Sequence, residues 1–312
     1  MNLLISFLQI FGIILVVIGH SKENIPFLTK WIYSFHMPLF FFISGFLLKE
    51  KNNKISDINL FSFSKKKFIK LILPYVLISS VAYIPKALLS KFAMRPLDLS
   101  IQSYVHGLIY PWENPIILFW FLPTIFIILI LFVFVFKIKE KFKIKHFIPI
   151  IILIFLFLNM KDFKNLDFLN LSGVINYSIF FALGIFYNLY QNKLNSLLKI
   201  ENKLTTLILF IISCLIFKID YNNLTTFIYA MNGILFSISL GKLYLKYNLN
   251  FLNHLYGASF SIYLFSWFPQ VFIRILFLQI LELNWFVAFI SSIFFGIYAP
   301  FLLYKLKGLI PE

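Results

Sequence analysis

Two of the five histidines in this 312-residue chain stand inside or at the end of strongly apolar runs. His20 closes Val16-Val17-Ile18-Gly19-His20-Ser21. His36 lies in Phe35-His36-Met37-Pro38-Leu39-Phe40-Phe41-Phe42-Ile43-Ser44-Gly45-Phe46. An imidazole gains or loses its proton near neutral pH after small shifts, which suits a general base acting on a hydroxyl. The pair could therefore be a base with its positioning partner, or a metal pair. No close acidic or Cys ligand accompanies them, so no metal is expected. Gln9 lies eleven residues before His20, about three turns and roughly 16 Å away on the same helical face. An amide buried in hydrocarbon costs a few kcal/mol unless paired, so this stripe should face a bundle interior. The plainer alternative has Gln9 joining helices and His20 solvated at an interface.

A second constellation is basic: Lys65-Lys66-Lys67-Phe68-Ile69-Lys70-Leu71-Ile72-Leu73-Pro74-Tyr75. It reads as a stop-transfer cluster meeting anionic lipid. Alternatively Lys67 and Lys70, three apart at the start of a helix, hold a multiply phosphorylated ligand. Ser44 and Gly45 mark close helix packing, with Ser44 also a candidate substrate contact. Trp120-Phe121-Leu122-Pro123 opens an apolar run whose aromatic residues ordinarily form an interface belt. The stretch 91–115, with Arg95, Asp98, His106, Trp112 and Glu113, is an outer loop long enough to fold over a site. Arg274 lies inside an apolar run that also carries Ser266 and Gln270. It either snorkels to the outer surface or meets substrate.

The elements that position these residues follow from composition. Hydrophobic residues make up 61% of the chain and charged residues 13%, against roughly 25% charged in a soluble domain. A cytosolic globular protein is excluded. With about 20 residues per crossing, the apolar stock suffices for roughly nine or ten spans. The 42 Phe without continuous alternation argue for helices over a barrel. Apolar runs fall near 3–19, 31–48, 69–90, 116–136, 147–159, 173–190, 204–217, 225–244, 257–281 and 285–304. The expected fold is all-α: one polytopic membrane domain over 1–312 with about ten transmembrane helices. No basic stretch or small-residue cleavage site precedes the first span, which reads as a retained helix. The single Cys214 permits no intrachain disulfide.

A formal charge of +16 would suggest nucleic acid in a soluble chain. Here 19 of the 28 basic residues fall in 49–70, 137–146, 191–203, 241–256 and 305–312, eight fall in the opposite loops, and Arg274 lies within a span. The positive-inside rule makes the first set cytoplasmic. Both termini then face the cytoplasm, and no nucleic-acid partner is needed.

The Gly-His-Ser end of the first helix, the Phe35–Phe46 run, Lys67–Tyr75, Trp120–Pro123 and Tyr256-Gly257-Ala258-Ser259-Phe260-Ser261-Ile262-Tyr263-Leu264 together resemble the acyltransferase 3 family, in its order and spacing over nearly the whole chain. Such proteins are integral membrane O-acyltransferases that modify extracytoplasmic or lipid-linked carbohydrates, commonly with acetyl groups from cytoplasmic acetyl-CoA. The resemblance implies that His20 is the essential helix-1 histidine, that Lys67 and Lys70 approach CoA phosphates, and that His36 and Trp120 occupy recurrent positions. It further implies acyl-CoA as co-substrate, a carbohydrate acceptor, contact with membrane lipids and a bacterial plasma-membrane location. Two residues depart from the family pattern. Gln9 replaces a frequent Arg and Ser266 a common His; Gln can hydrogen-bond a carbonyl but cannot pair with a phosphate as Arg does. The mechanistic choices are His20 as general base or as a covalent acyl relay. A transporter or flippase for a polysaccharide or lipid-linked sugar is the competing function.

Overall fold

The computed structural model describes residues 2–21, 25–52, 54–88, 100–144, 147–161, 166–215 and 223–307. Among them there is no strand. The helices are α1 (Leu3–His20), α2 (Pro26–Glu50), α3 (Leu60–Lys67), α4 (Leu73–Leu88), α5 (Ile101–Ile109), α6 (Phe121–Lys141), α7 (Phe147–Asn159), α8 (Leu171–Leu197), α9 (Lys203–Cys214), α10 (Asn223–Lys246), α11 (Ser259–Phe265), α12 (Trp267–Ile275) and α13 (Trp285–Lys307). Asn side chains start several of them: Asn2 Oδ1 accepts from Ile5 N–H at 3.3 Å and Asn59 Oδ1 from Ser62 N–H at 3.0 Å. Each thereby satisfies one of the first-turn donors that a helix leaves unpaired.

The ten expected apolar runs are predominantly helical where described. Among the described residues, seven helices are long and apolar enough to cross a membrane, or eight if the bent pair after residue 259 is one span. The runs 147–159 and 204–217 yield α7 and α9, of 13 and 12 residues. At 1.5 Å per residue these reach only about 20 Å, short of a hydrocarbon core of about 30 Å. The run 257–281, expected as one span, bends by 46° between α11 and α12. Pro269 accounts for this, because it has no N–H to donate and its ring crowds the carbonyl of Phe265. Pro74 acts in the same way one turn after Lys70. The backbone widens into a π turn over Phe68–Ile72 that joins α3 to α4. Of the expected orientation and loop residues, Lys22, Lys91, Arg95, Asp98, Lys145, Lys164 and Lys218 lie outside the described residues, as do 89–90 and 216–217.

The chain forms two compact units, Met1–Ile43 with Tyr190–Glu312, and Ser44–Leu189. In the first, α1 is buried on most of its circumference, with Leu8, Ile10, Ile13 and Val17 fully covered, and packs on α10, α11 and α13. Phe35 fills the space beside Gly233, where a β-carbon would overlap its ring. Polar pairs join α9 to its neighbours: Trp31 Nε1–H donates to Ser213 Oγ at 2.8 Å and Asn232 Nδ2–H to Leu209 O at 3.0 Å. Within apolar surroundings such bonds, together with close packing at small residues, hold helices to one another.

In the second unit, Gly45 lies so close to α8 that a β-carbon would fall on the Phe181 carbonyl oxygen. The α3–α4 rod runs along α6. Lys137 Nζ donates to Ser56 O at 2.8 Å near its start, and Phe68 meets the Phe126 ring at 6.2 Å farther along. Beyond that level, the segment 100–116 folds back on α4. The Tyr75 hydroxyl lies 2.9 Å from Leu108 O, and Asn114 and Ser79 exchange hydrogen bonds at 3.0 and 3.1 Å. Lys86 Nζ reaches Pro115 O at 3.2 Å.

Candidate functional site

The C-terminal end of α1 is where the candidate chemistry concentrates. A helix leaves its last carbonyls without intrahelical donors, and here side chains supply them. Gln270, on α12, sends both amide hydrogens to this end: Nε2 lies 2.8 Å from Val17 O and 2.9 Å from Ser21 Oγ. Ser21 in turn donates to Val17 O at 2.8 Å. The Tyr33 hydroxyl donates to Gly19 O at 2.9 Å and approaches His20 Nδ1 at 3.4 Å. With its proton committed to Gly19, the Tyr33 oxygen can only accept from His20. In that tautomer Nδ1 carries the hydrogen and Nε2 the lone pair. Gly296 lets α13 approach: a β-carbon there would meet Gln270 Cγ at 2.8 Å and Val17 Cγ1 at 3.0 Å.

The Tyr33 ring also brings the two sequence-predicted histidines into one arrangement, since it lies edge-on to His20 at 5.7 Å and to His36 at 5.0 Å between centroids. His36 is buried, and its Nδ1–H donates to Ile32 O at 2.9 Å. In the neutral form this leaves the ring's lone pair on Nε2. Gln9 is half-buried and its amide has no hydrogen-bond partner among the described residues. Between the levels of Gln9 and His20, the Phe40 ring tip lies 3.0 Å from where a Gly12 β-carbon would stand. Arg274 follows Gln270 by one turn, so it shares the α12 face that meets the end of α1. It is half-buried and makes no ion pair among the described residues.

The remaining predicted residues belong to the second unit. Lys67 is half-buried, with Nζ 5.3 Å from the centre of the Phe63 ring, and Lys70 is exposed. Lys51, Lys66, Lys67 and Lys70 are close enough to act on one another electrostatically. Phe68, which lies between Lys67 and Lys70 in the chain, meets Phe126, eleven residues before Lys137 on α6. Ser44 is half-buried beside the Gly45 contact. Trp120 is buried in the middle of a stack, with Trp112 at 5.0 Å and Tyr177 at 5.3 Å. Among the described residues, no group of three or more His, Cys, Asp or Glu is arranged to hold a metal ion.

Sequence reasoning passed over Tyr33 and gave Gln270 no role. Tyr33 stands one turn before His36 and is one of 16 tyrosines, so neither its type nor its spacing singles it out. Gln270 had a usable signal, because an amide inside an apolar run next to a proline needs a partner.

A model of the acyltransferase 3 family, described as an acyltransferase domain, matches residues 2–305. No curated protein and no solved structure gives a significant match. Because the matched stretch contains both compact units, the apolar helices and the histidine, glutamine and lysine groups described above, the chain belongs to the acyltransferase 3 family and is a membrane acyltransferase.

Proposed function

We propose that this protein transfers an acyl group, acetyl in the simplest case, from cytoplasmic acyl-CoA to a hydroxyl of a cell-surface or lipid-linked carbohydrate at a bacterial plasma membrane. The observation that carries the reading is the Tyr33 hydroxyl held between Gly19 O and His20 Nδ1. It favours the tautomer in which His20 Nε2 is basic. In the reaction Nε2 takes the acceptor O–H proton as the oxygen attacks the thioester carbonyl. The tetrahedral intermediate collapses with C–S cleavage, and the imidazolium returns the proton to the departing sulfur, giving ester and free CoA thiol. Family membership supports transfer over the transporter reading.

Lys67 and Lys70 hold the donor's phosphates. Lys51, Lys66, Lys67 and Lys70 act on one another electrostatically, and like charges so grouped favour an anion among them, which suits a phosphorylated ligand. Gln9, half-buried and without a partner, is suited to hydrogen-bond an amide or carbonyl of the donor arm. Phe40 has to turn away from Gly12 for a chain to pass along that face of α1. His36 orients the ring of Tyr33, and Arg274 presents positive charge on the α12 face that meets α1. Ser44 stays at a helix contact, and Trp120 acts through Trp112.

The orientation, with both termini cytoplasmic, rests on the basic residues. It survives removal of α7 and α9 as spans, which leaves 18 of the 28 on the cytoplasmic side. Replacing His20 with Ala, with insertion and abundance confirmed, should abolish acetylation of the surface polysaccharide. Unchanged acetylation would remove His20 from the mechanism.

A further inference from the structure

Trp112 is not accounted for by the site at α1. It sits in the short turn Pro111–Glu113 within the fold-back on α4. One face of its indole lies on Trp120, with centroids 5.0 Å apart and planes 20° from parallel, and Trp120 is backed by Tyr177. Its N–H is spent internally, donating to Asn170 Oδ1 at 3.0 Å. Asn170 is buried, holds a left-handed backbone at φ 56°, and donates Nδ2–H to Thr124 Oγ1 at 2.8 Å. The ring is therefore fixed on one side and along one edge, yet the residue is 41% exposed. No ring covers the opposite face among the described residues. Beside it, Glu113 Oε2 accepts from His106 Nδ1 at 3.0 Å, while Glu113 Oε1 has no partner among the described residues. Both side chains of that pair are exposed, and His106 is itself stacked on Tyr110 at 4.3 Å.

A tryptophan that anchors a protein in the membrane interface points its N–H toward headgroups and water. Trp112 does the opposite, and an exposed carboxylate next to it is disfavoured against anionic lipid. A rigid, backed aromatic face, followed in the chain by an exposed carboxylate with one oxygen unpaired among the described residues, has instead the chemistry that recognises a sugar. Pyranose C–H groups pack on the ring, and ring hydroxyls donate to the oxygen. We propose that Trp112 and Glu113 form a saccharide-binding ledge for a neutral or acetamido pyranoside, with Trp120 and Asn170 as its supports. Glu113 selects against uronates and other anionic sugars by like-charge repulsion. The ledge lies toward the Tyr75–Lys86 stretch of the α3–α4 rod, away from Lys67 and Lys70, as an acceptor met on the side opposite the donor requires. Its role as acceptor site rests on the function proposed above; its binding chemistry does not.

The test therefore uses the full-length His20→Ala protein in nanodiscs, which cannot turn over if that reading holds. It is titrated calorimetrically with maltotetraose, a tetramer of β-1,4-linked N-acetylglucosamine and, as the anionic probe, tetragalacturonate. At least one neutral tetrasaccharide should bind and the anionic one should not. Trp112→Ala should weaken binding by about tenfold or more, the scale of losing one aromatic stacking partner. Trp112→Phe should restore most of it, and Glu113→Gln should narrow the discrimination against the anionic probe. The ledge is overturned if no neutral probe binds to a folded, monodisperse protein. It is equally overturned if Trp112→Ala binds as well as its parent. Saccharide binding alongside an active His20→Ala enzyme would leave the ledge standing and refute the catalytic reading instead.

Discussion

Tyr33→Phe isolates one hydroxyl. The aromatic ring stays, and with it the edge contacts at 5.7 Å to His20 and 5.0 Å to His36. What disappears is the 2.9 Å bond to Gly19 O and the 3.4 Å approach to His20 Nδ1. The first has the geometry of a full hydrogen bond, with a net value of about 1 kcal/mol. The second is longer than an ordinary N–H···O bond and adds a fraction of that. If the total, about 1–1.5 kcal/mol, acts through the tautomer and orientation of His20, kcat should fall roughly 5- to 15-fold. Steady-state CoA release by the purified enzyme in nanodiscs reads this directly. The expected pattern is a lower kcat with an unchanged KM for acyl-CoA. An unaltered kcat would refute the reasoning, and so would a loss of activity that only tracks a lowered melting temperature.

Gln270→Leu keeps the volume but removes both donors to the end of α1. It should cost about 1–2 kcal/mol and lower kcat; a thermal melt identical to the parent's would contradict the capping role. Gly45→Val meets a backbone oxygen that no rotamer change can clear, so it should cost at least about 2–3 kcal/mol, read as loss of monodisperse protein. Gly12→Ala meets only the tip of the Phe40 ring and should be much milder. Equal damage from the two would argue against the packing described at Phe181. Replacing Lys67 and Lys70 together with Ala should raise KM for acyl-CoA by about tenfold or more with little change in kcat. The salt dependence of KM should flatten as well, and a KM that does not move would remove these lysines from donor binding.

Local properties were legible in advance, and arrangements between distant segments were not. The ten apolar runs are predominantly helical where described, because a run of apolar side chains reports its own immersion. Ser44-Gly45 read correctly as a close contact, since a small pair inside an apolar helix has little other use. The company of Lys67 and Lys70 was hidden: a lysine cluster before an apolar run reads as a stop-transfer signal, and only the fold brings Lys51 within electrostatic reach of both. The bend at Ser266 was half legible: Pro269 marks a weak point, but whether a proline helix kinks slightly or breaks by 46° depends on what packs around it.

What the amino-acid sequence determined alone was the solvent and the backbone. With 61% hydrophobic residues in long runs, the chain enters hydrocarbon, where peptide groups must pair within their own segment, so helices follow from composition without reference to any partner. Tertiary structure alone decided how the end of α1 is satisfied. Its open carbonyls are met by Tyr33, 14 residues from Gly19 in the chain, and by Gln270, 253 residues from Val17. A hydrogen bond requires its donor within about 3 Å and in the right direction. Spacing along a chain cannot specify that between segments so far apart.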